Sequence, residues 1–149
     1  MTPEEEASTA ALEAAERFFM SVLYGDRQAL WAMFSTAARQ FIIRRGVERG
    51  LDPGLGASVS AGQTEGEAAA AFLSDLLAGI RKDLEHVDLS DLAFDSIAEP
   101  HAPLQVRVTY LQTLGAATGP AIPAFPAGSL VMILESDQWK VERLVPRPG

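Results

Sequence analysis

The stretch 129-SLVMILESDQWKVERLV-145 holds two apolar runs around a polar pair. Residues 129–135 and 138–145 are rich in Val, Leu, Ile and Trp, and Ser136-Asp137 separates them. A two-residue connection of this kind joins antiparallel strands. With the turn at Ser136-Asp137, Leu134 falls opposite Trp139 and Met132 opposite Val141, all on one face. Val131 and Ile133 then point to the other face, beside Lys140 and Glu142. A sheet built on this hairpin needs a layer over its apolar side.

Two more strands are expected upstream. The segment 104-LQVRVTYLQT-113 alternates, with Leu104, Val106, Val108 and Tyr110 on one face and Gln105, Arg107 and Thr109 on the other. The segment 91-DLAFDSI-97 alternates as well. Between them and the hairpin lies 115-GAATGPAIPAFPAG-128, read as a proline- and glycine-rich connection.

The first half of the chain is helical by pattern. Thr2, Pro3 and Glu5 form an N-cap, a first-turn proline and a capping-box acid, and Glu4 to Glu6 suit the positive end of a helix dipole. Leu12, Ala15, Phe19, Val22 and Leu23 recur at helical spacing, with Phe18 beside them. Gly25 ends this helix and Asp26 caps another, carrying Leu30, Met33 and Phe34. Ser35 caps a continuation over 36–45 with Phe41 and Ile42. The stretch 50-GLDPGLGASVSAGQ-63 reads as a loop, because glycine and small polar residues bury little. A third main helix starts at the capping-box match 64-TEGE-67, with Ala69, Phe72, Leu73, Leu76, Leu77 and Ile80 as its stripe. Helices first and antiparallel strands after make one α+β domain over residues 1–149.

Composition excludes several functions. The chain has 149 residues and a net charge of −8. Acidity argues against nucleic-acid binding, which needs cations to neutralise phosphates. It argues equally against a polybasic membrane surface. Cysteine is absent, so there is no disulfide framework and no thiolate chemistry. The acidic start 1-MTPEEEASTA-10 lacks the basic and apolar blocks of a signal peptide, and a soluble, cytoplasmic protein is expected.

The runs 17-RFFMSVLYGDRQALWAMFS-35 and 137-DQWKVERLVP-146 resemble the nuclear transport factor 2-like superfamily, the cystatin-like α+β cone. The N-terminal run is similar to its helix, Gly-Asp turn and helix opening. The C-terminal run is similar to its closing strand, with a tryptophan just after a tight turn. The run 34-FSTAARQF-41 resembles the branch of small bacterial domains of unknown function more than the polyketide cyclases. The resemblance implies N-terminal helices packed on a curved antiparallel sheet, a cone-shaped ligand pocket and often a homodimer. The superfamily hosts isomerases, dehydratases, cyclases and non-catalytic binding modules, so fold does not carry function.

Candidate site residues follow from the inward strand positions. Tyr110, Trp139, Phe94, Met132 and Arg143 are the expected ligand pocket, with Ser96 as a further polar group. Tyr110 reads first as a core aromatic with its hydroxyl at the rim, and only then as a functional pocket group. Arg143 reads as an anion-recognising guanidinium or as a rim arginine paired with Glu142 or Glu16. Asp26 is a helix cap before it is a catalytic carboxylate. His86 and His101 have no further ligand at helical spacing, so no metal site is expected. The glycines of 54-GLG-56 lack the rest of a nucleotide fingerprint. Pro120, Pro123 and Pro126 either stiffen a connection or present a polyproline face.

No acid–base pair stands out among these positions, and no cofactor is implied. The leading expectation is therefore a non-catalytic domain that binds a small apolar molecule or another protein. The rival is an isomerase- or dehydratase-like enzyme using Tyr110 with an acid or His86. The third is a structural homodimer module without a ligand. Whatever the function, a homodimer through the outer sheet face is expected, at an apolar patch of Val131 and Ile133 rimmed by Gln105, Arg107 and Thr109.

Overall fold

The computed structural model describes residues 2–98, 104–113 and 124–147. His101, Pro120 and Pro123, and most of the expected 115–128 connection, lie outside the described residues. Four strands, β1 (Leu92–Ala98), β2 (Gln105–Gln112), β3 (Phe125–Glu135) and β4 (Gln138–Val145), form one antiparallel sheet in the order β1-β2-β3-β4. The hairpin has the expected register: Leu134 pairs with Trp139 and Met132 with Val141. Ser136 and Asp137 both take left-handed φ values, 50° and 63°, the pair that a twist-matched two-residue turn requires.

Two irregularities shape the sheet. Val131 pairs with Arg143 while Met132 pairs with Val141, so Glu142 is an extra residue in β4. Tyr110 pairs with Gly128 while Leu111 pairs with Pro126, so Ala127 is extra in β3. Strand β3 thus begins at Phe125, within the stretch expected to be a connection. Its Pro126 and Gly128 hide a strand from any propensity reading, yet both are tolerated at a bulge.

Five helices precede the sheet: α1 (Pro3–Tyr24), α2 (Arg27–Ala32), α3 (Thr36–Glu48), α4 (Pro53–Ser60) and α5 (Glu67–Asp83). Thr2 caps α1 by accepting from Glu5 N–H, and Gly25 ends it at φ 77°. Asp26 caps α2, its Oδ1 accepting from Ala29 N–H at 3.1 Å. Ser35 does the same for α3 through Ala38 N–H.

Several expectations need correction. The stretch 50–63 is not a loop throughout: α4 occupies Pro53–Ser60, with Asp52 capping through Leu55 N–H and Pro53 in the first turn. Its helical face is completed from outside, by Val59 in the core and by Trp31 Nε1–H donating to Val59 O at 3.2 Å. The capping box at 64–67 does not form. Helix α5 starts at Glu67 after Gly66, whose φ of 101° puts the chain outside the geometry a box needs, and no side chain caps it. Met33 and Phe34 lie beyond α2. There Ser35 N–H donates to Val141 O at 2.9 Å and Val141 N–H to Met33 O at 2.8 Å, which covers part of the β4 edge. Leu104 precedes β2 and is 56% exposed rather than part of the inner face.

The core lies between the helices and one sheet face. Val106, Val108, Tyr110, Leu130, Met132 and Val141 meet the α1 stripe of Ala11, Ala14, Ala15, Phe18, Phe19 and Val22. The stripe is turned slightly from the expected one, so Leu12 and Leu23 are only partly buried. Alanines on α1 let the helix approach the sheet, and the aromatic rings fill the ends. Phe19 stands edge-on to Tyr110 at 4.9 Å and Phe18 edge-on to Phe34 at 5.7 Å.

Cations finish two of the helices. Arg81 donates to Val22 O and Leu23 O at the end of α1, while Arg39 and Lys140 donate to Trp31 O and Ala32 O at the end of α2. Each satisfies orphan carbonyls and opposes the negative helix end. Gln112, buried at the base of the sheet, accepts from Asp88 N–H and donates to Asp91 O and Thr113 O, tying the α5–β1 connection to β2.

Two substitutions test this account. Asp26→Ala should lower stability by about 0.5–2 kcal/mol through the lost cap, read as a reduced denaturation midpoint. Gly128→Ala should cost about 3 kcal/mol, because the added methyl would overlap Tyr110 and the Val145 carbonyl. An unchanged midpoint in either would remove the corresponding argument.

Candidate functional site

The expected pocket residues do not converge on one cavity. Tyr110 is 0% exposed, its ring against Phe19 and its hydroxyl donating to Val145 O at 3.3 Å. Met132 is buried in the same cluster, and Phe94 packs half-buried on Phe19 at 5.5 Å. Trp139 is only partly buried and lines a separate cleft of about 380 Å³, beside Glu13, Arg17, Met33 and Lys140. Arg143 pairs with Val131, which puts it on the sheet face opposite Tyr110 and Met132. The bulge at Glu142 makes that difference. Simple alternation from Val141 also places Arg143 inward, and the inserted residue reverses the parity.

Nor does Tyr110 meet a catalytic partner. Burial pushes its phenol up to about 12, Arg147 nearby acts in the opposite sense, and Asp83 adds a smaller upward push. A hydroxyl held on a backbone carbonyl with so high a pKa is a poor acid at neutral pH. His86 Nε2 lies 3.3 Å from Ala127 O. Asp26 is engaged by α2. Among the described residues no three His, Cys, Asp or Glu side chains gather as a metal site.

The outer face also differs from expectation. Val131 is 6% exposed, not part of an open patch, and Ile133 is partly covered. Val131 sits in register between Arg107 and Arg143. Close by, Gln105 Nε2 donates to Glu142 Oε2 at 2.9 Å.

The larger openings lie between α3 and α5. One lobe, about 670 Å³, runs along β4 and is floored by Phe34, Ala38, Ile42, Ile80, Val131 and Leu144, with Asp83, Gln105, Glu142 and Arg143 at its polar edge. Another, about 840 Å³, continues past Leu51, Phe72 and Gly79 and is rimmed by Arg45, Arg49 and Lys82. Phe41, Ile42, Leu76, Ile80 and Asp83 line both, so the two lobes adjoin.

Local sequence explains the opening. Helix α3 packs on α4 and β4, and Ala38 is its single buried residue. The α3–α4 contact is close because Gly56 lies against Ile43, where a Cβ would come within 2.8 Å of Ile43 Cγ2. Held there, α3 leaves Phe41 57% exposed at the mouth. Arg45 places its guanidinium 6.0 Å from the Phe41 ring centre, one turn on. Arg49 lies a further turn along. The spacing Phe41, Arg45, Arg49 is readable in the sequence as an i, i+4, i+8 line, but only the fold shows that it borders a cavity.

The chain matches no protein-family model, no curated protein and no solved structure. No described helix is long and apolar enough to cross a membrane.

The Tyr110 phenol gives a pH test. Its folded pKa of about 12 lies above the ordinary value of 10.0. The folded state therefore holds the proton more tightly. Its contribution to stability is complete below pH 10 and is lost as pH rises towards 12. Wild type should lose stability more steeply than Tyr110→Phe across that window in denaturant titrations. Parallel curves would show that Tyr110 ionises as freely folded as unfolded.

Proposed function

We propose that this chain is a non-catalytic binding module of the nuclear transport factor 2-like kind, and that it holds a small apolar molecule between α3, α5 and β4. The observation that carries the reading is the 670 Å³ lobe with its apolar floor and an exposed Phe41 at the mouth. That volume falls in the range of small-molecule sites, which are mostly apolar with a few polar groups at the edge. The order of elements, helices followed by a four-stranded antiparallel meander with α1 across one face, supports the superfamily. The space over Tyr110 is filled, which supports putting the ligand on the α3 side rather than in the sheet interior.

Absence of catalysis in this reading rests on the inward polar groups. Tyr110 is committed to a backbone carbonyl, and Arg143, on the opposite sheet face, lines the proposed lobe with Asp83 and with Glu142, whose carboxylate accepts from Gln105. A proton-transfer site pairs a base with an acid or electrophile at the substrate, and in this reading Tyr110 is too far committed to the core to serve as the partner of Asp83 or Glu142.

The test uses phenylnaphthylamine, a neutral apolar fluorophore that brightens on leaving water. Wild-type protein should bind it. Ala37 is exposed and lines the lobe, so Ala37→Trp fills the space without entering the core. That variant should bind at least tenfold more weakly, a loss of about 1.4 kcal/mol, with an unchanged denaturation midpoint. No binding by wild type, or equal binding by the variant, would overturn the assignment.

A further inference from the structure

The charge around the cleft is unlike that of the chain as a whole. Net charge is −8, with 12 basic residues in total. Four of these, Arg39, Arg44, Arg45 and Arg49, fall on α3 and its last cap, against one acid, Glu48. Arg39 is used at the end of α2. Arg45 and Arg49 rim the cleft, Lys82 stands on α5, and Asp75 and Asp83 are the acids of the same lobe. None of these five side chains makes an ion pair or hydrogen bond with the described residues. Arg45 has only the Phe41 ring, and the ring face gives a guanidinium less than a carboxylate does.

Two cations one turn apart in the lobe that adjoins the apolar one define a ligand with two ends. We propose that the occupant is an amphipathic carboxylate, its apolar body along β4 and its carboxylate on Arg45 and Arg49. This rests on the binding reading above and adds the chemical class. Guanidinium suits a carboxylate because its planar fork offers two parallel N–H donors. The body enters beneath Phe41, where the two lobes join, and lies against Ile42, Ile80 and Leu144. The α5 wall carries Asp75 and Asp83 against Lys82, a net negative charge that disfavours an anionic head there and leaves α3 as its place. The acids also set the specificity: an amphipathic cation would meet Asp75 and Asp83 but lose the two guanidinium contacts.

Displacement of phenylnaphthylamine separates this inference from the reading beneath it. Decanoate and methyl decanoate share an apolar chain and differ in charge. Decanoate should displace the fluorophore at least tenfold more effectively at low ionic strength, and added salt should narrow the gap. In Arg45→Gln with Arg49→Gln the preference should fall to about one, while phenylnaphthylamine still binds and the denaturation midpoint holds. Equal displacement by the two compounds in wild type sinks the carboxylate and leaves the apolar site standing. A preference that survives the double substitution sinks the placement at Arg45 and Arg49. Failure of phenylnaphthylamine to bind removes the site and the inference with it.

Discussion

Tyr110 lies across a glycine, and much of the sheet follows from that contact. Gly128 is its register partner on β3, and no side chain larger than hydrogen fits beneath the ring. The ring can then lie close to β3, reach the Val145 carbonyl on β4, and meet Phe19 of α1 on its other side. One residue thus joins three strands to the first helix. The neighbouring bulge at Ala127 accommodates the same place, since it lets Pro126 stand in the strand without interrupting the pairs below. The interior over Tyr110 is consequently packed, and packed interiors resist small changes in volume.

The helical layer is built differently. Helices α1 and α5 bury continuous stripes, whereas α3 buries one alanine. Helix α3 is held at its start by Ser35 and by the edge of β4, and Thr36 adds an anchor where its N–H and hydroxyl donate to Glu135. Along its length it rests on α4, which is fixed by the Trp31 indole on Val59. Support from one side and at one end leaves the α5 side open. The opening results from how α3 is supported rather than from a deficiency of apolar residues.

Arginine placement follows the same division. Arg39 and Arg81 are committed to helix carbonyls, where geometry fixes them. Arg45 and Arg49 lie beyond those anchors, on the α3 side that borders the cleft. Cap cations and cleft cations are therefore distinguished by what they meet, not by residue type. The proposed ligand class depends on that distinction, because a guanidinium already bonded to a carbonyl has less to offer a carboxylate.

Local signals are enough for the caps at Thr2, Asp26 and Ser35, the Ser136-Asp137 turn and the stripe of α5, because each rests on interactions within a few residues. They are enough, too, for helices before an antiparallel sheet. Helix α4 escapes them because its small residues bury little until Trp31 and the core meet Val59. The early start of β3 escapes them because Pro126 and Gly128 disfavour strands unless a bulge and Tyr110 require them. Alternation puts Arg143 on the wrong face because one inserted residue, Glu142, reverses the parity, and alternation alone cannot count an insertion. The open cleft likewise belongs to tertiary structure. Sequence supplies Phe41, Arg45 and Arg49 at helical spacing, and only the separation of α3 from α5 makes their common side a cavity.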